Sequence, residues 1–341
     1  MENALDVLNP GGKDPTQDFS AGPSRLEEKG HPPINYHAYA ACMLGRFACR
    51  VSDLRANAVL LLLRGNLVDS LRAAKTLSVK KIPFFISWKE AGRHQVAHAI
   101  SHPRILMRFM EISGLALGFL ASTSWLPPIH RAAGLSDGKF IPTPYPIDFS
   151  QWDFRISPEE RSGIFIGTRE FLIPSRNHAA AVFASCDLAY RLRSHVTCIN
   201  TEGRRGEKLL NHIDAGRGVL RIVEGCLPYK DYLKLLARHR MVLQFDRSGV
   251  PGQIAGDAAL CGIPAIGGDG SVDDLLNHTL SQLKRCDFET SLEQAHQLLT
   301  NFSLYVKITE VLRRRALEVL SFQEGTRAIF SLITRRKSRN F

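Results

Sequence analysis

Short apolar runs alternate with longer stretches of helical period along most of the chain. Ala4–Leu8 reads as a strand that empties into Asn9-Pro10-Gly11-Gly12-Lys13, and a helix follows over about Tyr36–Phe47. Val59–Leu63 is an unbroken apolar run of strand length, with a helical pattern at Val68–Ser78 and a second strand at Pro83–Ser87. One helix is expected over about Gln95–Phe109 and another strand at Leu115–Ala121. The short run Lys139–Ile141 ends in Pro142-Thr143-Pro144-Tyr145-Pro146, where three prolines oppose both a helix and a central strand. A domain boundary is expected there, near residue 150.

The second half repeats the rhythm. Gly163–Gly167, Val196–Asn200, Leu220–Val223, Met241–Phe245 and Pro264–Ile266 read as successive strands. Helical segments at about His178–Leu192, Lys208–Ile213, Lys230–Ala237 and Ala255–Leu260 separate them. Ser291–Leu299, Ser303–Leu320 and Thr326–Thr334 read as a helical tail. Strands alternating with helices predict an α/β protein of two Rossmann-like, doubly wound parallel sheets facing a cleft, with ligands at the carboxyl ends of the strands. The expected division is 1–150, 151–310, and C-terminal helices with a basic tail over 311–341.

Composition narrows the class. The 341 residues are 44% hydrophobic and 23% charged, which suits about two globular domains and opposes wholesale disorder. The most apolar stretches, Ala58–Leu63 and Ile112–Ala121, fall short of the roughly 20 residues a membrane span needs. The N-terminal Met-Glu-Asn-Ala-Leu-Asp is unlike a signal peptide. The seven cysteines form no C-x-x-C pair, so reduced, mostly buried thiols in a cytoplasmic protein are expected. The net charge of +11 suits a nucleic acid, an anionic membrane face or a phosphate-bearing substrate.

Two stretches carry candidate chemistry. Ile164-Phe165-Ile166-Gly167-Thr168-Arg169 runs off a strand, and Pro174-Ser175-Arg176-Asn177-His178 opens a helix. Two guanidinium groups beside a helix N-terminus suit a diphosphate; the alternative is two solvated surface arginines. Further on, Asp246-Arg247-Ser248-Gly249-Val250-Pro251-Gly252-Gln253 follows a strand and leads into a short helix carrying Asp257-Ala258-Ala259-Leu260-Cys261, which Gly262 closes. A glycine loop opening a helix offers backbone N–H groups to an anion.

These residues resemble the C-terminal domain of retaining GT-B glycosyltransferases, the large family that includes sucrose and mannose transferases (glycosyl transferases group 1). There a strand ending in Gly-Arg is followed by Lys-Gly or Lys-Asn, and the two cations neutralise the nucleotide diphosphate. Arg169 matches the first cation and Arg176 the second, with Arg for Lys. Asp257-Ala258-Ala259-Leu260-Cys261-Gly262-Ile263-Pro264 matches the family's Glu-Ala-x-x-Cys-Gly-x-Pro with Asp for Glu, the acid that bonds the donor ribose. The family's earlier glutamate, which contacts the donor sugar, falls on Gly249, with Val250 and Gly252 on the loop glycines and Gln253 after them. Asp246 is a nearby substitute acid at a different spacing. Leu227 and Tyr229 fall where the family seats the nucleobase, although Tyr229 could equally cap its helix. Gly11 and Gly12 fall at the family's N-terminal glycine loop, or form an ordinary turn. The family's functional histidine after the fourth N-domain strand is absent from Ser87-Trp88-Lys89-Glu90. Glu90 and His94 are the acceptor-side candidates left, with a solvated loop charge the alternative for Glu90.

The resemblance implies a nucleotide-sugar donor and a hydroxyl acceptor, either a glycan or lipid-linked. It implies electrostatic catalysis by Arg169 and Arg176 with no metal and no cofactor. A degenerate relative that binds without transferring is the alternative, and a nucleotide-sugar epimerase is a third. His94, His98 and His102 share a helical spacing, but Gln95 stands where a zinc protease needs its glutamate, so a polar face is preferred to a metal site. Asp269, Asp273 and Asp274 are read as helix N-terminal acids before a metal cluster. Gly203-Arg204-Arg205-Gly206-Glu207-Lys208 is read as a solvated basic loop, and no Walker or dinucleotide fingerprint is present. The basic clusters Arg313–Arg315 and Arg335–Arg339 suggest peripheral contact with an anionic inner membrane face. No aromatic–basic motif points to nucleic acid.

Overall fold

The computed structural model describes residues 5–22, 31–167, 170–171, 173–277 and 287–334. The chain forms two units: Met1–Trp152 with Gly249–Pro251 and Val319–Phe341, and Asp153–Ser248 with Gly252–Glu318. The expected break at residue 310 falls inside a continuous helix, and it is from Val319 onward that the chain belongs to the first unit.

The first unit runs β1 (Asp6–Leu8), β2 (Gln17–Asp18), α1 (Asn35–Cys42), β3 (Arg46–Ala48), β4 (Val59–Leu63), α2 (Val68–Val79), β5 (Phe84–Trp88), α3 (Arg93–Ser101), α4 (Pro103–Leu115), β6 (Gly118–Ala121), α5 (Pro127–Ala132) and β7 (Gly138–Phe140). Its sheet has the order β2-β3-β1-β4-β5-β6-β7, parallel throughout except for the antiparallel edge strand β2. The β pleat sorts the core. Leu60 and Leu62 join a cluster that contains α1, whereas Val59, Leu61 and Leu63 join one that contains α2 and α4. All five side chains of β4 are buried, a contribution of about 1.5–3 kcal/mol each.

The expected helix over Tyr36–Phe47 is shorter. Leu44 and Gly45 donate back to Ala41 and Ala40 and close α1, and Gly45 presses so closely on the Leu5 carbonyl that no side chain fits. The freed residues form β3. The single helix expected over Gln95–Phe109 is two helices, because His102 before Pro103 is extended (φ −88°, ψ 116°) and Pro103 opens α4.

The second unit runs β8 (Ile164–Ile166), α6 (His178–Arg191), β9 (Val196–Asn200), α7 (Arg204–Ile213), β10 (Leu220–Glu224), α8 (Tyr229–Ala237), β11 (Met241–Leu243), α9 (Gln253–Cys261), β12 (Ala265–Ile266), α10 (Ser271–Asn277), α11 (Phe288–Thr300) and α12 (Phe302–Leu320). Its sheet is wholly parallel, in the order β10-β9-β8-β11-β12. The basic stretch read as a loop at Gly203–Lys208 instead opens α7 after a Gly203 N-cap. Asp273 and Asp274 stand in the first turn of α10. Gly262 closes α9 in the left-handed conformation (φ +64°), as a C-terminal glycine does. The buried Arg161 donates to the Cys261 and Gly262 carbonyls at that end, a cation set against the negative pole of the helix.

α13 (Phe322–Thr334) belongs to the first unit, where it packs against α1. The Asp148 carboxylate accepts its first two N–H groups, from Phe322 at 3.2 Å and Gln323 at 3.1 Å.

Candidate functional site

In the second unit, β8 and β11 are neighbours from which the strand order runs outward in opposite senses. Such a switch point leaves a crevice at the strands' carboxyl ends. Gly167 follows β8 and lies against β11 and α9: a Cβ there would lie 2.8 Å from Val242 Cγ1 and 3.0 Å from Ile254 Cγ2. Arg169, the first expected cation, lies outside the described residues.

The turn Pro174–Arg176 that follows is laced to the loop after β11. Asn177, left-handed at φ +48°, donates through Nδ2 to the Phe245 carbonyl at 2.9 Å. The Arg247 N–H donates to the Ser175 carbonyl at 2.7 Å, and the hydroxyls of Ser175 and Ser248 lie 2.8 Å apart. Arg176 is therefore anchored in this crevice, with 19% of its side chain exposed. Its guanidinium pairs with the buried Asp246 and, through Nε at 2.7 Å, with Glu170. Asp246 also accepts the Ser248 N–H at 2.8 Å. The sequence posed a solvated cation against a diphosphate ligand; the structure shows an arginine held by two carboxylates.

The loop after β11 leads through Gly249 and Gly252 to α9. Gly252 (φ +92°) is the residue before α9, and Gln253 begins the helix half-buried. Asp257, one turn on, is 1% exposed and accepts from the Tyr229 hydroxyl at 2.5 Å. Tyr229 is the first residue of α8, with its ring 6.0 Å from that of Tyr232, and Leu227 lies half-buried just before it. The structure thus brings Tyr229 to Asp257 and Arg176 to Asp246. Gly249 (φ +60°) is grouped with the first unit, where its carbonyl accepts from the Trp125 indole N–H at 2.8 Å.

In the first unit, Asn9-Pro10-Gly11-Gly12 forms a tight turn after β1. The Gly12 N–H returns to the Asn9 carbonyl at 3.0 Å, with Pro10 second and Gly11 (φ +73°) third, the pattern of a type II turn. Arg64 Nη1 donates to the Gly11 carbonyl at 2.6 Å. Glu90 follows β5, half-buried, and His94 is exposed in the first turn of α3. The rings of His98 and His102 meet at 4.9 Å, across the break before Pro103. Among the described residues no group of three His, Cys, Asp or Glu side chains is arranged to hold a metal ion.

Sequence reasoning missed Glu170 outright, and of two residues it did name it missed the bond from Tyr229 to Asp257 and the burial of Asp273. Glu170 completes the Arg176 pair from the far side of an unpatterned loop. Tyr229 meets Asp257 across 28 positions, a distance that periodicity does not report. Asp273 is buried at 2% exposure beneath the glycine turns, where burial and the neighbouring Asp246, Asp274 and Asp269 push its carboxyl well above the usual carboxylate range. Burial, with Asp257 adding to it, likewise raises the Cys261 thiol.

No family model matches the chain, and no curated protein matches it. Solved structures do. An alpha-glucosyltransferase in complex with UDP-glucose and DNA containing an abasic site is similar over 97% of this chain and 99% of its own, at 9% identity and a TM-score of 0.61. Anabaena HepE in complex with UDP-glucose is similar over 82% and 79%, at 13% identity and a TM-score of 0.53. A putative UDP-N-acetylglucosamine 2-epimerase from Listeria monocytogenes is similar over 83% and 76%, at 13% identity and a TM-score of 0.53. The shared feature is the GT-B fold, and the chain has that fold.

Proposed function

We propose that the protein is a retaining, metal-independent glycosyltransferase that moves a sugar from a nucleotide-sugar donor to a hydroxyl acceptor. One observation carries the reading: the buried acid of the Asp257–Pro264 segment sits on the helix after the switch-point loop, in hydrogen-bond contact with Tyr229. UDP-glucose bound to two proteins of the same fold supports the donor class. Asp257 would bond the ribose, and Leu227 and Tyr229 would border the base. Gly252 and Gln253, at the N-terminus of α9, would present N–H groups to the phosphates.

In this reading Arg169 and Arg176 stabilise the diphosphate as the glycosidic bond stretches, with no metal and no cofactor. Glu170, 47% exposed, is the Arg176 partner that a diphosphate would displace; Asp246, at 6%, stays and orients the guanidinium. Gly11, Gly12, Glu90 and His94 of the first unit are the acceptor-binding candidates. The acceptor would be a glycan or a lipid-linked glycan, and peripheral contact with an anionic membrane is part of the same proposal. No described helix is long and apolar enough to cross a membrane.

Incubation with UDP-, GDP- and ADP-sugars tests this. Release of nucleoside diphosphate with an acceptor panel of glycans, lipid-linked glycans and, given the DNA-bound neighbour, duplex DNA supports transfer. Binding without release supports the second reading, a binding protein, which Gly249 in place of the acid and the doubly paired Arg176 favour. A sugar isomer formed without acceptor would identify an epimerase, and binding of no donor would refute the donor assignment.

A further inference from the structure

We propose that Asp273 is a positioning residue whose carboxyl fixes the glycine turns at the carboxyl ends of β11 and β12 to one another, and so sets the shape of the donor site. The inference rests on the donor site proposed above.

Asp273 stands in the first turn of α10 and reaches under both loops. Gln244, the residue after β11, donates through Nε2 to its Oδ1 at 2.9 Å. Three glycines close over it. A Cβ on Gly252 would lie 2.8 Å from Asp273 Oδ2, one on Gly270 2.5 Å from the same oxygen, and one on Gly268 would collide with Oδ1 and with Gln244 Nε2. The Gly270 Cβ would also lie 2.6 Å from Gly252 Cα, so the two turns touch above the carboxyl. Glycine is required at all three because the acid occupies the space a side chain would take. Gly252 is also the residue that opens α9, the helix carrying Asp257.

The charged groups around it are Asp246 after β11, Asp269 after β12 and Asp274 on α10, all carboxylates that disfavour a further negative charge. Arg176 and Arg247 neutralise the outer side of Asp246: Arg176 pairs with its carboxylate and Arg247 donates to its carbonyl. From α12, Arg313 lines the same small cavity as Asp273, about 10 Å³ in volume. Burial and the three carboxylates around it all favour the neutral carboxyl. It is in that form that Asp273 is proposed to hold the cradle. Ionisation would set a fourth negative charge among the glycine turns. The folded state keeps this proton longer than the unfolded chain does. Stability therefore falls as pH rises above the ordinary carboxylate range, until Asp273 itself titrates.

The test compares the full-length protein with Asp273→Asn between pH 5 and 9. It reads the thermal midpoint and the affinity for UDP, GDP and ADP by calorimetry. The midpoint of the variant should gain on the wild type by about 3 °C or more across the range. Whichever diphosphate binds should weaken, as pH rises, about tenfold more in the wild type than in the variant. Parallel midpoint curves would overturn the proposal. Should Asp273→Asn not fold, amide exchange on the wild type decides: protection of residues 253–257, corrected for intrinsic rate, should fall as pH rises, and unchanged protection refutes the role. If no diphosphate binds at any pH, the donor reading fails, while the midpoint and exchange results still judge Asp273.

Discussion

The two units bury acids at opposite ends of their sheets. In the first, Asp6 opens β1 with no exposure and accepts three backbone N–H groups, from Arg46 and Arg55 at 2.6 Å and Ala56 at 2.9 Å. These three bonds hold the start of β3 and the approach to β4, at the amino ends of the strands. In the second, Asp246, Asp257 and Asp273 lie at the carboxyl ends. Their side-chain partners there are an arginine, a tyrosine hydroxyl and a glutamine amide, and Asp246 accepts one backbone N–H, from Ser248, as well. A carboxylate saturated by backbone donors is architecture. Acids held by side chains that can exchange partners are the equipment of a site.

Asp6→Ala should cost the most stability, about 3 kcal/mol or more in urea unfolding, because three part-buried backbone N–H groups lose the one buried carboxylate they share. Milder unfolding would remove Asp6 from the structural side of the comparison. Arg176→Ala should cost the most function, a fall of about a hundredfold in turnover of nucleotide sugar, on the scale of removing one charge-stabilising group. Equal turnover would leave the Arg176–Asp246 pair as mere scaffolding. Tyr229→Phe should weaken donor binding about tenfold through loss of the bond to Asp257, with the thermal midpoint nearly unchanged.

The smallest effect concerns acid. His130 in the first unit is fully buried, stacked 4.6 Å from Phe119, with neither ring nitrogen hydrogen-bonded, and burial pushes it down to about 3. A histidine whose folded value is depressed leaves stability intact above its unfolded value near 6.5 and loses it as pH falls. Between pH 7 and 5.5 it should cost about 1 kcal/mol, which His130→Leu should abolish in chemical denaturation. His178 and His239 of the second unit, pushed to about 4, act in the same direction, so a single-site variant is needed to separate the units.

Long apolar strands were legible from the chain because burial on both faces leaves an unmistakable run, as in Val59–Leu63. The Asp257–Pro264 segment was legible because an acid, a helix and a glycine stop lie within a few consecutive positions. β3 was not, since three residues after a helix carry no period and its pairing with β1 is a long-range fact. The break at Pro103 was visible as a proline, but the continuation as α4 depends on packing against α2. The start of α7 was masked by Arg204 and Arg205, charges that a surface helix tolerates as readily as a loop does. At the candidate site, the residue types were legible but their partners were not. Glu170 and Asp246 meet Arg176, and Gln244 meets Asp273, only because β8, β11 and β12 lie side by side.

The carboxyl end of the second unit's sheet is the proposed seat of the nucleotide sugar. Hydrogen exchange with and without UDP-, GDP- and ADP-sugars tests it most directly. One donor should slow exchange in residues 173–178, 227–229 and 245–257 and leave the amino ends of the same strands unaffected. Protection that appears only elsewhere in the chain, or with none of the donors, would contradict that assignment.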